Sequence, residues 1–578
     1  MKSVNQKSSK NSPNLVVLGF DFWQGRCNRV THVTNELASQ GTSRRDNERV
    51  EYMSTNNESQ KGLRKGAVGL TAVLFMAVAN AAPITAMSFN VPIGAGYGNG
   101  LGVPAGFLFA TIVLSIFAIG FAAMSKHITT AGAFYGFISH GLGQVWGMAA
   151  GLLATIAYIL FEGTLIGGFS YFAANTLSEM AGIEVNWLII AMVGMILIWV
   201  LTYFDITVAA AVLGVTLVAE VVLLLAFGIS VLFKGGPDGF MFSETVSITN
   251  AFTGLEANAY GTTVAAGTAA LGIFFAFWSW IGFETTAAYG EESKDPKRVV
   301  PRATMIAVVG LGLFYTFVSW MVVVANGRKA TVEVSTYSTG NPIDLWLIPV
   351  TDNLGSLTTS FYRVLLVIGS FACALAFHNA ASRYVFALGR ELPFAGIRNR
   401  LSSTHPKHQS PAVASTVVTV INIVMIMLFV TFSTAWTSDP AEAGATSDPS
   451  LIPYGVIYTV PSLVGTAFIL VVQVICSFAV IGYFWGKKKH KGNVLTTLVA
   501  PLVGAAGMIY ALTLLFGAVG SGFAAGYQSN SILVKNLPII IVGTLIFGLL
   551  YALWVKSKHP DIYEEIGRTT MEEAHERA

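Results

Sequence analysis

The sequence predicts an all-α polytopic membrane protein with twelve transmembrane helices, and three observations predict it. Hydrophobic residues make up 53% of the 578 and charged residues only 11%, whereas a soluble globular chain carries about 25% charged residues. With a mean hydropathy of +0.62, there is too little charge to clothe a water-facing surface. This excludes the roughly three or four soluble domains that the length alone would suggest. Second, stretches of the about 20 apolar residues a membrane helix needs recur at approximately 66–88, 105–124, 143–174, 186–203, 207–233, 267–290, 303–325, 361–386, 411–434, 455–484, 494–518 and 537–555. Third, the basic residues are segregated. With the N-terminus inside, 29 of the 34 Lys and Arg fall on the inner side, and only Lys234, Arg328, Lys329, Arg363 and Lys535 on the outer. That bias sets the orientation, so both termini are expected in the cytoplasm of a plasma-membrane protein.

Taken in order, residues 1–63 read as a disordered cytoplasmic tail, polar and rich in Ser, Asn, Gln and Arg. Their short apolar run Leu15-Val16-Val17-Leu18 falls below the about 7–15 residues of a secretory core. Met53 precedes the basic Arg64-Lys65 boundary by eleven residues, so residues 1–52 read as an extended start. Spans one to five occupy 64–233, spans six to ten 267–484, spans eleven and twelve 494–555, and a second cytoplasmic tail 556–578. The net charge of +3 is too small to imply a nucleic-acid partner, and Cys27, Cys373 and Cys476 lie too far apart for a metal or disulfide framework. No cofactor is expected.

Two spans are expected to break. Backbone left unpaired at membrane depth survives only where it lines a cavity, and interrupted helices in corresponding positions of two halves point to a substrate site. Span one carries Ala79-Asn80-Ala81-Ala82-Pro83. Pro83 has no amide hydrogen and disfavours helix at the preceding residue, and Asn80 can bond backbone in place of the ladder. A second half-helix is expected from Ile84 to Asn90; a simple proline kink is the alternative. Span six carries Phe277-Trp278-Ser279-Trp280-Ile281-Gly282-Phe283-Glu284. A lone glycine among bulky aromatics suits close approach of a small ligand to backbone, or an aromatic packing layer with one glycine contact.

The run Gly282-Phe283-Glu284, Glu291-Glu292, Asp295-Pro296, Arg298 and Pro301-Arg302-Ala303 resembles the signature of the amino acid–polyamine–organocation permease superfamily. So do Thr129 to Tyr135, the segment Asn379 to Arg390 with Ser382-Arg383-Tyr384, and His405-Pro406 with Ser410-Pro411. The resemblance covers roughly 60–555 and is similar to an actinobacterial-type subgroup in carrying Asn80-Ala-Ala-Pro83 where better-known members have a glycine-rich segment. It implies the leucine-transporter-type fold, a 5+5 inverted repeat plus two peripheral helices, and secondary transport of amino acids or related amines.

In such an architecture the half-helix start near Ala82-Pro83-Ile84 would offer amides and a partial positive charge to a substrate carboxylate. Carbonyls of Val78, Ala79, Asn80, Phe277 and Trp278 would accept from its ammonium, and Trp278, Trp280 and Phe283 would close over its side chain. An ionisable residue at a helix centre costs about 2.5–3.5 kcal/mol on insertion scales, so each is a functional candidate. Glu220 in span five, Glu162 in span three and His378 in span eight are candidates for ion coupling; a carboxylate bonded to a neighbouring helix, or a satisfied packing histidine, is the alternative. Glu284 and Arg383, near the ends of spans six and eight, suit an ion pair at an inner gate or a solvated surface pair. Arg363 is expected to snorkel.

The glycines of Gly94-Ala-Gly96-Tyr-Gly98-Asn-Gly100 are expected in a loop. They are not the dinucleotide fingerprint, which follows a strand. Lys487 to Lys491 reads as a topology anchor on anionic headgroups. With no nucleotide-binding loop, the energy must come from an ion gradient or from exchange. The expectation is therefore a secondary transporter, not an enzyme. It imports an amino acid by alternating access, with a proton (or sodium), while spans 1, 2, 6 and 7 move against the rest. A polyamine or amine carrier, an exchanger and a non-transporting amino-acid sensor are the alternatives. The residues leave the exact cargo and the oligomeric state open.

Overall fold

The computed structural model describes residues 69–129, 132–204, 206–290, 293–336, 340–405, 410–432, 449–486, 492–520 and 536–567. The expected tails over 1–63 and beyond 567, Met53, Glu291-Glu292, Pro406 and Lys487–Lys491 lie outside the described residues.

Ten helices among the described residues are long and apolar enough to cross a membrane. They fall on ten of the twelve expected stretches. The other two are the apolar helix Trp187–Tyr203 and the short Ala269–Trp278, the latter cut short because span six leaves the helical ladder after Trp278. No strand occurs among the described residues. The main core is a continuous apolar cluster reaching from Ala77 in span one to Ile541 in span twelve, with three small clusters beside it.

Span one is two helices, Leu70–Ala81 and Pro83–Tyr97, hinged at Ala82, whose φ of 37° is left-handed. Pro83 dictates this: it supplies the first position of the second helix, where a missing amide costs nothing, and denies helical geometry to the residue before it. The second half-helix runs to Tyr97 rather than stopping at Asn90. Gly94 and Gly96 therefore lie inside a helix, not in the expected loop. The reason is packing: a Cβ on Gly98 would lie 2.7 Å from the Gly272 amide nitrogen and 2.8 Å from its Cα, so the glycines let this helix end and span six touch backbone to backbone.

The remaining spans surround this pair. Span three (Gln144–Ala181) lies against span eight (Ser356–Gly389) and against span ten, which opens with the π-helical turn Pro453–Tyr458 before Thr459–Trp485. That wide turn delivers Tyr454 and Tyr458 to the second half-helix, where both stack on Phe89 at ring separations of 4.9 and 3.9 Å. Span seven (Pro296–Val334) is bent at Gly327, and beyond the bend Arg328 pairs with Asp238 at 3.2 Å and Glu244 at 2.6 Å.

Gly98→Ala is expected to lower the melting temperature of the detergent-purified protein, at a cost of about 1–3 kcal/mol. Gly543→Ala, which meets open space, is expected to leave it unchanged.

Candidate functional site

Two helix breaks meet at the centre of the molecule, each freeing backbone amides. In span one, Ala82 N still reaches the Val78 and Ala79 carbonyls at 3.0 and 3.2 Å, and Pro83 has no amide to give. The first amide of the second half-helix, Ile84 N, donates to the Glu220 carboxylate at 3.3 Å. Glu220 comes from span five (Ile206–Lys234) and lies against Gly369 of span eight, with no room for a side chain at that glycine. In span six, residues 279–284 form successive i→i+3 turns: Trp280 N bonds Phe277 O, Ile281 N bonds Trp278 O, and Phe283 N bonds Trp280 O. The Gly282 amide donates instead to Glu284 Oε2 at 3.0 Å, and Glu284 Oε1 accepts from Tyr158 of span three at 2.7 Å. Each break is thus closed by one fully or almost fully buried acid.

Glycine at 282 is required on two counts. Its φ is 118°, and an added Cβ would lie 2.5 Å from Asn80 Cβ. What approaches this glycine is the other break rather than a ligand.

A small cavity of about 20 Å³ lies between the breaks, lined by Asn80, Ala81, Ala82, Trp278, Ser279 and Ile281 together with Thr85, Ala86, Asn90, Leu165, Cys373, Phe377 and Tyr458. Its polar rim is a directed relay. Trp278 Nε1 donates to the Tyr458 hydroxyl at 2.9 Å, which donates to Asn90 Oδ1 at 2.9 Å. Asn90 Nδ2 donates to Ser279 Oγ at 2.8 Å, which donates to Phe275 O at 3.0 Å.

Asn80 differs. The Thr285 hydroxyl spends its one hydrogen on Gly282 O at 2.5 Å, so toward Asn80 it can only accept. The Asn80 atom facing it at 2.8 Å is therefore Nδ2. This leaves Asn80 Oδ1 buried without a hydrogen-bond partner, an acceptor on a residue that lines the cavity between the breaks.

The expected site residues separate into three groups. Asn80, Ala81, Ala82, Trp278, Ser279 and Ile281 line the cavity; Ala79, Pro83 and Gly282 form the breaks. The side chains of Phe277, Trp280 and Phe283 face elsewhere, which corrects the expected place of Trp280 and Phe283 over a substrate side chain. Trp280 donates to Val308 O of span seven at 3.2 Å and packs edge-on to Tyr315; Phe283 packs on Phe117 and Phe121, and Phe277 on Phe109, all of span two. The carbonyls expected for an ammonium also have partners: Val78 O and Ala79 O accept from Ala82 N, Asn80 O from the Cys373 thiol at 3.3 Å, Phe277 O from Trp280 N and Trp278 O from Ile281 N.

Glu162 and His378, expected as separate candidates, are one unit. His378 Nδ1 and Glu162 Oε1 lie 2.7 Å apart, Asn422 Nδ2 donates to Glu162 Oε2 at 2.9 Å, and His378 Nε2 meets Ser415 Oγ at 2.8 Å. Thr202 of span four closes the set on Ser415 at 3.0 Å. This network joins spans three, four, eight and nine and has no exposed surface at Glu162 or His378. Glu284 and Arg383 are not paired with each other: Glu284 is held as above, and the Arg383 guanidinium lies over the Tyr289 ring at 4.9 Å. Among the described residues no group of three or more His, Cys, Asp or Glu could hold a metal ion.

Sequence reasoning missed Tyr158, Asn90, Thr285, Tyr458, Ser415 and Asn422. A signal existed for some: Tyr158 lies one helical turn before Glu162, and Ser415 and Asn422 lie two turns apart on one face.

The sequence matches the profile of the family described as "Amino acid permease" over residues 68–550. The chain belongs to this amino acid permease family. The permease is 23% identical over 365 residues to the low-affinity putrescine importer PlaP of Escherichia coli, covering 62% of this chain and 74% of that one. It is 21% identical over 304 residues to the serine/threonine exchanger SteT of Bacillus subtilis, covering 51% of this chain and 61% of that one. Uncharacterized transporters of Mycobacterium also match at 22% over 333 residues, so the relatives do not single out an actinobacterial subgroup. Among solved structures, Mhp1, a nucleobase–cation-symport-1 family transporter with bromovinylhydantoin bound, aligns with a TM-score of 0.40 at 13% identity over 88% of this chain and 98% of that one. The permease is a multi-pass membrane protein and a secondary transporter of a small molecule.

Glu162→Leu is expected to cost about 3–5 kcal/mol of stability, because it strands His378 and Asn422 in the interior. Adding His378→Leu is expected to recover part of that loss in a thermal melt.

Proposed function

We propose that this permease imports a small solute bearing a primary ammonium group, an amino acid or a diamine, and recognises it first by that group. One observation carries the reading: Asn80 Oδ1, an acceptor buried between the breaks with no donor. A buried polar atom without a partner needs an explanation, and an ammonium, with three donors and no acceptor, supplies one. Trp278, Phe377 and Tyr458 line the same cavity, and an aromatic lining suits a cation, which such rings attract by about 2 kcal/mol when desolvated. The named cargoes of the relatives, putrescine for PlaP and serine and threonine for SteT, share a primary amine and differ in having a carboxylate. The half-helix start expected to hold a substrate carboxylate already has Glu220 on Ile84 N, which makes the carboxylate secondary to recognition.

The cavity of about 20 Å³ holds about one water, so loading requires the breaks to part. Transport then proceeds by alternating access, with spans 1, 2, 6 and 7 moving against a body that the Glu162–His378 network welds across spans three, four, eight and nine. Tyr158–Glu284 crosses between the two parts and must break as they separate. The two five-span halves act as inverted repeats in a plasma membrane, with both termini cytoplasmic. A proton is the coupling ion, carried by Glu220: neutralising this carboxylate weakens its hold on Ile84 N and frees the second half-helix.

In proteoliposomes, competition against a transported radiolabelled amine is expected from small amines with or without a carboxylate, but not from the carboxylic acid of matching size that lacks the amine. Competition by the acid alone would contradict ammonium recognition. Glu220→Gln is expected to flatten the pH dependence of uptake while binding persists; pH dependence unchanged in that variant, or uptake that follows sodium instead, would remove Glu220 from coupling.

A further inference from the structure

Away from the central site, a second cavity of about 680 Å³ opens on the molecular surface where span two ends and span seven begins, closed on one side by the start of span eleven at Thr496. Its walls and its rim differ in chemistry. The walls are apolar, with Ile119, Ala122 and Ala123 from span two facing Met305 and Ile306 from span seven. The rim carries four cations, Lys126 from the end of span two and Lys297, Arg298 and Arg302 from the first turns of span seven, all exposed. Among the described residues, the one acid paired with any of the four is Asp295, 3.7 Å from Arg298 and itself half exposed, and such an exposed pair contributes little. Lys126, Lys297 and Arg302 thus have no paired acid among the described residues, over an apolar cleft.

Like charges gathered at one rim repel one another. They are stabilised by an anion at the level of the helix ends, and apolar walls below that level are stabilised by hydrocarbon. Its volume lies within the about 300–1,000 Å³ range of ligand sites, and its position at the ends of two spans coincides with the headgroup level of a bilayer. Basic pockets between membrane helices bind acidic lipid headgroups on these grounds. We propose that this cleft is a binding site for one anionic phospholipid. The phosphate is held by Lys126, Lys297 and Arg302, and the acyl chain lies between spans two and seven against Ile119 and Ile306. The charge pattern favours this occupant over a zwitterionic lipid, whose own cation would face the same rim. The inference does not depend on which solute the permease carries.

The test uses the full-length protein purified in neutral detergent, with native mass spectrometry counting retained lipid and a thermal melt reading stability. Phosphatidylglycerol is expected to be retained with a stoichiometry of one and to raise the melting temperature, while phosphatidylcholine and inorganic phosphate do neither. Near a membrane surface each basic residue accounts for about a fivefold change in affinity for acidic lipid, so Lys297→Gln with Arg302→Gln is expected to weaken retention by more than tenfold. Because basic residues also set topology, Ala123→Phe provides a second variant that fills the cleft and keeps every charge; it is expected to lose the bound lipid and the stabilisation while still folding. Equal retention of phosphatidylglycerol and phosphatidylcholine would overturn the proposal. So would stabilisation by inorganic phosphate alone, which would make the rim a site for a free anion, or undiminished retention in Ala123→Phe.

Discussion

A backbone amide released from a helix at membrane depth has no water to turn to, and both breaks at the centre of this permease release such amides. Ile84 N and Gly282 N are among the amides that Pro83 and the glycine turn remove from the helical ladder, and each of these two is answered by a carboxylate, Glu220 or Glu284. The rest of the central architecture follows. The breaks can face each other because residue 282 is a glycine seated on Asn80, and Asn80 is held by Thr285 from the far side of the same turn. Buried acids are expensive in lipid; here they stand where unpaired amides would cost several kcal/mol each. The same pairing gives them leverage over conformation, since whatever changes the charge on Glu220 changes the grip on the half-helix it caps.

The polar groups fall into two sets with separate duties. Glu220, Glu284, Asn80 and the relay from Trp278 to Ser279 touch the broken spans, where motion and recognition are concentrated. Glu162, His378, Asn422, Ser415 and Thr202 touch only continuous spans and bond to one another, with Asn422 Oδ1 left without a partner. A buried hydrogen-bonded network ties together the spans it connects, which suits the second set to the stationary part of the machine.

Much of this was legible in the sequence, for reasons that can be stated. Apolar length placed the spans, because lipid thickness is a constraint on every residue of a helix. Pro83 and Gly282 revealed the breaks, because proline chemistry and a lone glycine among aromatics act locally. What stayed hidden depends on rotation about helix axes and on partners far away in the chain. Trp278 and Trp280 sit two residues apart in span six, yet one lines the cavity and the other packs on span seven, and nothing local distinguishes them. The second half-helix continued through Gly94 and Gly96 because their spacing reads as a loop until Gly272 is known to press against Gly98. The pairing of Glu162 with His378 spans more than two hundred residues, and one unaligned sequence carries no trace of such a contact.

The central claim, that the two broken spans form the cargo site, is tested most directly at Cys373, whose thiol donates to Asn80 O and lines the central cavity. In a Cys27→Ser, Cys476→Ser background, the rate at which a small maleimide labels Cys373 in membrane vesicles would be measured with and without a transported amine. A saturating amine is expected to slow labelling severalfold, with half-protection at the concentration that half-saturates uptake. Labelling that proceeds at the same rate while the amine is being transported would place the cargo elsewhere and contradict the account.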